Sequence, residues 1–235
     1  MTRRRWIADE VSHDRAVLLG PHAERLVRVL RARVGEEFDL AVEGHVRRGR
    51  IVSLADQRVE FDLGEEVPAG PPANITLALS VFKFDRMDWA IEKCTELGVA
   101  RIIPVIAQRT DPHLGAASPK RAERWRRIAR EASEQSRRIS PPEILPPAKL
   151  KDVVGIAADP RIVLSEAETE LMLRDVPIAS GATALAIGPE GGWTEAELAL
   201  FREAKWTAAS LGETILRAET AAIASLAVVL ALKTE

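Results

Sequence analysis

Two short segments of this 235-residue sequence hold the residues best suited to chemistry. The first is Gly188-Pro189-Glu190-Gly191-Gly192, which follows an apolar run. Its glycines, which have no Cβ, let backbone N–H and C=O groups approach a ligand closely. The acid at its centre would repel phosphate, so the loop favours a neutral or cationic ligand. An ordinary strand–helix turn is the alternative interpretation of the same glycines.

The second segment is the run LGETILRAET, residues 211–220. Ile215 and Leu216 are apolar residues in a predicted loop, where they can wall an aromatic ring such as adenine. Arg217 and Glu219 flank the predicted start of a helix, and capping is an alternative role for Glu219 because the helix dipole favours an acid there. Two such loops in one α/β domain indicate a single small-molecule pocket at the carboxyl ends of strands.

Motifs typical of several other kinds of site are absent from the sequence. The sequence has no G-x-G-x-x-G after a predicted strand and no GK[ST], which argues against a dinucleotide fold or a P-loop. The four histidines lack metal-ligand spacing, so no metal site is expected. The single cysteine, Cys94, excludes an internal disulfide and is predicted to be a buried structural thiol.

The elements that must position the two loops alternate between strands and helices after residue 74. Predicted strands span residues 75–82, 99–107, 162–164, 182–187 and 208–211. Predicted helices span residues 85–97, 119–138, 194–204 and 219–233, with Ser118 as N-cap and Pro119 as first residue of the second. This alternation predicts an α/β domain with a mostly parallel sheet.

The first 70 residues follow a different pattern. A short helix is predicted over residues 21–30, with Leu26, Val29 and Leu30 on one face. Three short strands are predicted within residues 38–63, and their close spacing indicates a small β-barrel. The proline- and glycine-rich residues 64–74 are predicted to be an interdomain linker.

Charge is segregated along the chain although it nearly cancels in total. With 33 basic and 35 acidic residues the net charge is −2, which argues against a protein that coats nucleic acid by charge alone. Residues 71–140 nevertheless carry a net +5. This permits an anionic partner, with a solvated helix face as the alternative. No segment is typical of a secretion signal or a membrane span, so a cytoplasmic protein without a membrane partner is expected.

In these motifs the sequence resembles the SPOUT RNA methyltransferases, specifically the RsmE family that methylates uridine N3 in 16S ribosomal RNA. The resemblance rests on the runs IEKCTELGV, EASEQSRR, IGPEGG and LGxxILRAETA, with an amino-terminal His22 followed by RVLR. One departure is Gln135-Ser136-Arg137-Arg138, where the family often has a glycine after the serine.

The resemblance implies an architecture and a cofactor. Residues 1–70 would form a PUA-like RNA-binding β-barrel, and residues 74–235 a SPOUT α/β domain with a carboxyl-terminal trefoil knot. The cofactor would be S-adenosylmethionine. The enzyme would be a homodimer acting on 16S rRNA in the small ribosomal subunit. The predicted cofactor-binding residues are Ile187, Gly188, Pro189, Gly191, Gly192, Leu211, Gly212, Ile215 and Leu216.

The same resemblance suggests residues for catalysis and for RNA. Arg217 would steady the negative charge that develops on uridine, and Glu190 or Glu219 would act as base. RNA contacts are predicted for Arg3, Arg4, Arg5, Arg28, Arg31, Arg124 and Arg127. For Arg127, an i,i+4 ion pair with Glu131 is the alternative. A SPOUT enzyme acting on another position, such as a ribose 2′-O, and a non-catalytic assembly factor are the alternative functions.

Overall fold

The chain divides into two compact units. A computed structural model describes residues 5–70 and 73–233. The first unit comprises Met1–Pro72 with Ser133–Ser140, and the second comprises Ala73–Ala132 with Pro141–Glu235. The short segment Ser133–Ser140 therefore belongs to the first unit, although it lies far along the sequence.

The first unit is built on a six-stranded mixed sheet. Its strands are β1 (Arg5–Ile7), β2 (Glu10–Ser12), β3 (Arg15–Leu19), β4 (Glu37–Val42), β5 (His45–Ala55) and β6 (Arg58–Glu66). They lie in the order β1-β4-β5-β6-β3-β2; β1 pairs with β4 in parallel, and the other pairs are antiparallel. Alternating apolar side chains such as Leu40, Ile51 and Phe61 fill its core.

Sequence periodicity located β4, β5 and β6 but missed the three amino-terminal strands. These are only three to five residues long and carry little alternation. The expected start of the linker is also wrong, because β6 continues through Glu66.

The predicted first helix has an unexpected register. An α-helical turn, α1 (Gly20–Glu24), passes directly into a π-helical turn over Arg25–Val29. Leu30 N donates to the Arg25 carbonyl at 3.0 Å, an i→i+5 bond that widens the turn. As a result Leu26 is buried, whereas Val29 is 70% exposed. The expected shared apolar face is therefore wrong.

The second unit contains the predicted parallel sheet. Its strands are β7 (Ile75–Ser80), β8 (Arg101–Ile106), β9 (Glu143–Ile144), β10 (Ala148–Lys149), β11 (Arg161–Leu164), β12 (Thr183–Ile187) and β13 (Thr207–Ala209). The order is β10-β8-β7-β12-β11-β13, with β9 beside β8, and every pair is parallel. The expectation of an α/β fold with a parallel sheet is confirmed.

Each helix predicted for this unit is present near its expected position, but not every boundary is as predicted. They are α2 (Phe84–Glu96), α3 (Pro112–Gln135), α4 (Leu150–Val153), α5 (Glu195–Glu203) and α6 (Ala218–Leu232), with a 3₁₀ turn at Leu173–Asp175. The capping box of α5 is confirmed: Thr194 accepts a hydrogen bond from Glu197 N, and the Glu197 side chain accepts one from Thr194 N.

The predicted start of α3 is wrong by seven residues. Asp111 Oδ1 accepts from His113 N at 2.7 Å, so the helix begins at Pro112 rather than Pro119. Pro119 lies inside the helix, where it cannot donate to the Gly115 carbonyl. The hydroxyl of Ser118 donates to that carbonyl instead, at 2.7 Å. Ser118 is thus an internal helical residue and not the N-cap.

Apolar side chains on both faces of the sheet form the core of the second unit. Cys94 is fully buried on α2 with Ile91, and burial raises the pKa of the thiol to about 12. The expected structural role of this cysteine is consistent with that environment. Within residues 5–70 and 73–233, no helix combines the length and apolarity needed to cross a bilayer.

Candidate active site

A cavity of about 370 Å³ opens at the carboxyl ends of three neighbouring strands, β11, β12 and β13. Open α/β sheets place ligands at this edge, and the volume lies in the ordinary range for small-molecule sites. Three loops supply most of the wall, represented by Ser165–Ala167, Gly188–Glu190 and Leu211–Arg217.

The first glycine loop is closely packed against its own surroundings. A Cβ at Gly188 would lie 3.2 Å from the indole nitrogen of Trp193, whose N–H donates to the Leu164 carbonyl at 3.1 Å. Gly192 has φ +69°, and a Cβ there would lie 2.8 Å from Glu166 Oε1. Both glycines therefore allow the loop backbone to pack closely against Trp193 and Glu166, where a larger residue would collide.

Two side chains from outside this loop fix its far end. Arg109, just after β8, donates from Nη1 to the Gly191 carbonyl at 2.6 Å. The buried carboxylate of Glu197 accepts from Gln108 N at 2.8 Å and from Thr194 N at 2.9 Å. The loop is consequently tied both to the end of β8 and to the start of α5.

The second loop is more open. Gly212, at φ +140°, receives support from Ser210, whose hydroxyl accepts from Gly212 N at 3.2 Å. Ile215 is 82% exposed even though it lines the cavity. Arg217 occupies the N-cap position of α6 without a side-chain capping bond, and it is exposed at the cavity wall. Its guanidinium is therefore available to a bound substrate.

Charges at the cavity favour a cationic ligand. Among the described residues, the wall contains three carboxylates, from Glu166, Glu190 and Glu213, and a single basic side chain, Arg217. Apolar side chains such as Ile187 supply much of the remaining lining, together with glycines and the hydroxyl side chains of Ser165, Ser210 and Thr214. A sulfonium cation joined to an aromatic base and a polar chain suits this mixture, whereas a ligand rich in phosphate does not.

The two candidate bases have different surroundings but share one partner. Glu190 lines the cavity and accepts from Arg86 Nη1 at 2.8 Å. Glu219, in the first turn of α6, is only 5% exposed and lies 3.7 Å from Arg86 Nε through its Oε1. The arginine that joins them belongs to α2, and the motif analysis did not identify it.

Most of the predicted cofactor residues lie together in the cavity wall. The eight that line it are Ile187, Gly188, Pro189, Gly192, Leu211, Gly212, Ile215 and Leu216. Gly191 is outside the lining and instead presents its carbonyl to Arg109. Among the candidate catalytic residues, Arg217 and Glu190 line the cavity and Glu219 does not.

Sequence reasoning missed the third loop of the cavity, residues 165–167. Ser165 and Glu166 follow directly after a predicted strand, as the two glycine loops do. That shared position at a strand carboxyl end is the signal that could have found them. Trp193 and Ser210 were also missed, although each adjoins a predicted motif.

The arginines predicted to contact RNA occupy varied environments. Arg5 donates to the Arg137 carbonyl, and Arg28 pairs with Asp56 at 3.0 Å. Arg31 is exposed in a left-handed backbone conformation, φ +51°. The remaining described members of the set, Arg124 and Arg127, pair with Asp88 at 2.7 Å and Glu131 at 3.9 Å. Arg3 and Arg4 lie outside the described residues.

For Arg127, the ion pair with Glu131 considered above is present. The described part of the chain contains no group of three or more His, Cys, Asp or Glu residues arranged to hold a metal ion.

Comparison with known proteins places this site in a family. A model of the RNA methyltransferase domain matches residues 69–230. Ribosomal RNA small subunit methyltransferase E of Aquifex aeolicus is 31% identical over 86% of this chain and 89% of its own length.

Two solved structures are similar over almost the whole chain. Ribosomal RNA small subunit methyltransferase E of Neisseria gonorrhoeae, bound to S-adenosyl methionine, has 32% identity and a TM-score of 0.86, covering 99% of this chain and 98% of its own. A protein of Legionella pneumophila, solved with bound SAM, has 29% identity and a TM-score of 0.87, covering 99% of both chains. The chain therefore belongs to the RNA methyltransferase family, within the group of ribosomal RNA small subunit methyltransferase E proteins.

Proposed function

We propose that this protein transfers the methyl group of S-adenosylmethionine to N3 of a uridine in the 16S rRNA of the small ribosomal subunit. The observation that carries the proposal is the acid-lined cavity between the two glycine loops. The relatives named for methylation of small-subunit ribosomal RNA, one of them bound to this cofactor, support the same assignment.

Backbone groups of both glycine loops would hold the cofactor, whose role is to supply a methyl group on positively charged sulfur. The absence of Cβ atoms at Gly188 and Gly192 lets the loop pack against Trp193 and Glu166 in the conformation that would present its backbone to the cofactor. Apolar Ile215 and Leu216 would wall the adenine ring, while Glu190 would offset the positive charge on sulfur. Gly191 would contribute through the shape of the loop, because Arg109 already engages its carbonyl.

Uridine N3 carries a proton and is a poor nucleophile, so the enzyme must favour its loss. Arg217 is exposed at the cavity wall, where its cationic guanidinium can stabilise negative charge developing on the uracil carbonyl oxygens. Glu190 faces the same space and is our first candidate to accept the proton. Glu219 is buried behind the wall, in the first turn of α6, and is therefore the second candidate.

Our proposal extends to the architecture. Residues 1–70 would form a PUA-like barrel that docks RNA, and residues 74–235 a SPOUT domain that carries out methyl transfer. By the family resemblance, the carboxyl-terminal segment of this domain would be knotted, although knots are rare among folds. Partly exposed apolar residues on α6, such as Ile223 and Val228, support a homodimer whose subunits meet at this helix. A cytoplasmic location follows from the proposed substrate.

A methylation assay on ribosomal particles tests the proposed function. Purified protein would be incubated with small subunits, and separately with free 16S rRNA, in the presence of S-adenosylmethionine. Mass spectrometry of the nucleosides should detect 3-methyluridine. A 2′-O-methylated nucleoside would instead favour a SPOUT enzyme with another target. Failure of the protein to bind S-adenosylmethionine in calorimetry would favour a non-catalytic assembly factor.

Replacing Arg217 by Ala should separate catalysis from cofactor binding. The change removes the cation at the cavity wall, so methyl transfer should fall by about 100-fold or more, while cofactor affinity stays within about threefold. Single-turnover rates and calorimetry would measure the two quantities. Arg202→Ala, which removes an exposed arginine paired with Glu195, is the matched control. Unchanged activity of the Arg217 variant would remove this residue from the mechanism.

A further inference from the structure

The guanidinium of Arg86 connects two parts of the site that come from different segments of the chain. Its Nη1 lies 2.8 Å from Glu190 Oε1, in the loop after β12, and its Nε lies 3.7 Å from Glu219 Oε1, in the first turn of α6. Arg86 itself belongs to α2 and does not line the cavity. One cation outside the wall thus contacts the acids of both loops.

Local helix electrostatics do not explain the position of this arginine. Arg86 lies in the first turn of α2, where the positive end of the helix dipole disfavours a cation. The two carboxylates offset that unfavourable placement. A planar guanidinium can direct separate N–H groups toward two acceptors, which the single ammonium of lysine does less well. The geometry therefore fits a role that depends on the shape of the guanidinium as well as on its charge.

Burial makes Glu219 dependent on this partner. Its side chain is only 7% exposed, and Oε2 is buried without a hydrogen-bond partner among the described residues. Its sequence neighbour Ala218 lines the cavity, as does Ala221 one turn farther along α6. Loss of the Arg86 charge would leave this buried carboxylate, directly behind the wall, with only the dipole of α6 to offset its charge. The carboxylate would then be hydrated through movement of the start of α6 or neutralised by protonation, and hydrogen exchange distinguishes the two.

We propose that Arg86 is a positioning residue for methyl transfer, which holds Glu190 and the first turn of α6 in their working arrangement. This inference rests on the proposed function, because it takes Glu190 and Arg217 as parts of the reacting site. Arg217 is the N-cap residue of α6, so displacement of that turn would also displace the arginine expected to stabilise the uracil oxygens. Arg86 would therefore act on the chemistry through Glu190 and through Arg217.

Kinetic comparison of two substitutions tests the inference. Arg86→Gln should lower kcat about 100-fold, since small misplacements of catalytic groups can cost that much, with KM for RNA changed less than about threefold. Arg86→Lys keeps the charge and should recover part of the loss. Combining Arg86→Gln with Glu190→Gln should cost less than the sum of the two single losses, because both changes remove the contribution that Arg86 makes through Glu190. Arg101→Gln, which breaks the exposed Arg101–Glu143 pair, is the control.

Hydrogen exchange of the cofactor-free protein gives a second readout that is independent of activity. In Arg86→Gln, amides of residues 188–192 and 217–221 should exchange faster than in the wild-type protein, while those of β7 and β8 stay unchanged. In Arg101→Gln neither loop should change. If Arg86→Gln proves too unstable to measure, Arg86→Lys carries the test, with faster exchange at both loops expected.

Three results would overturn the inference: full activity of Arg86→Gln, additive losses in the double variant, or unchanged exchange at both loops. Kinetics would be followed as labelled methyl groups transferred to small-subunit RNA, whichever nucleotide position accepts them. Failure of this inference is therefore distinguishable from failure of the proposed uridine N3 target, which the nucleoside analysis alone decides.

Discussion

At the scale of single residues, the site depends on glycines, which have no Cβ, as much as on its larger side chains. Gly188 and Gly192 keep clear the space in which a Cβ would meet Trp193 or Glu166. Arg109 and Arg86 hold the loop between these glycines through a backbone carbonyl and a carboxylate. The first glycine loop is therefore held by contacts made from outside it.

Gly192→Ala should weaken cofactor binding. The residue has φ +69°, which costs a residue with a Cβ about 1–2 kcal/mol, and the new methyl group would displace the Glu166 carboxylate. We expect about a tenfold loss of S-adenosylmethionine affinity, equivalent to about 1.4 kcal/mol, measured by calorimetry.

Gly181→Ala is the matched control for this change. Nothing lies within 4 Å of a Cβ built at Gly181, and its φ is not positive. The control should bind the cofactor as the wild-type protein does. Equal affinity in both variants would show that the space beside Gly192 is not used by the cofactor.

At the scale of elements, α3 shows how a helix accommodates an internal proline. Pro119 has no N–H to donate to the Gly115 carbonyl, and the buried Ser118 hydroxyl donates to it instead. The helix therefore continues from Pro112 to Gln135 and delivers Trp125 to the core of the second unit.

Ser118→Ala should destabilise the protein by about 1 kcal/mol, the usual net value of one hydrogen bond. The same change in a Pro119→Ala background should cost much less, because the alanine introduced there supplies the backbone N–H that Pro119 lacks. Chemical denaturation of the wild-type protein, the two single variants and the double variant would measure both differences. Equal costs in the two backgrounds would contradict the proposed exchange of hydrogen bonds.

Elements that depend on interactions between residues close in sequence were predicted correctly from short sequence patterns. The capping box of α5 and the apolar runs of the parallel strands are examples, as are the two glycine loops at strand ends. The start of α3 was missed because both Pro112 and Pro119 suit a first helical position, and the choice rests on the bond from Asp111. Arg86 and Arg109 were missed because their partners lie 104 and 82 residues away in sequence. Hydrophobic periodicity carries no information about contacts between residues so far apart in sequence.

At the scale of the whole molecule, a net charge of −2 is compatible with an RNA substrate because charge is unevenly distributed. The exposed segment around Arg28 and Arg31 combines basic side chains with the exposed Val29. The cavity wall, in contrast, is acidic. Under the proposed function, the basic segment would attract RNA and the acidic wall would accept the cationic cofactor.

RNA affinity should therefore fall with salt, but with a shallow slope. If about four phosphates are neutralised, the logarithm of the binding constant should fall by about 3 to 4 per tenfold rise in salt. Arg31→Gln should reduce that slope by about 1, whereas Arg101→Gln should leave it unchanged. Filter binding at several salt concentrations would measure it. A slope unaffected by Arg31→Gln would remove this residue from the RNA surface.

The buried thiol of Cys94 also has a practical consequence. It is the only cysteine of the chain, and the burial that raises its pKa also shields the thiol from reagents. Maleimide dyes should therefore not label the native protein, and should react only with a new cysteine introduced on the surface. Two such dyes, one beside Arg31 and one beside Ile215, would report by energy transfer whether these two positions change separation when a ribosomal particle binds.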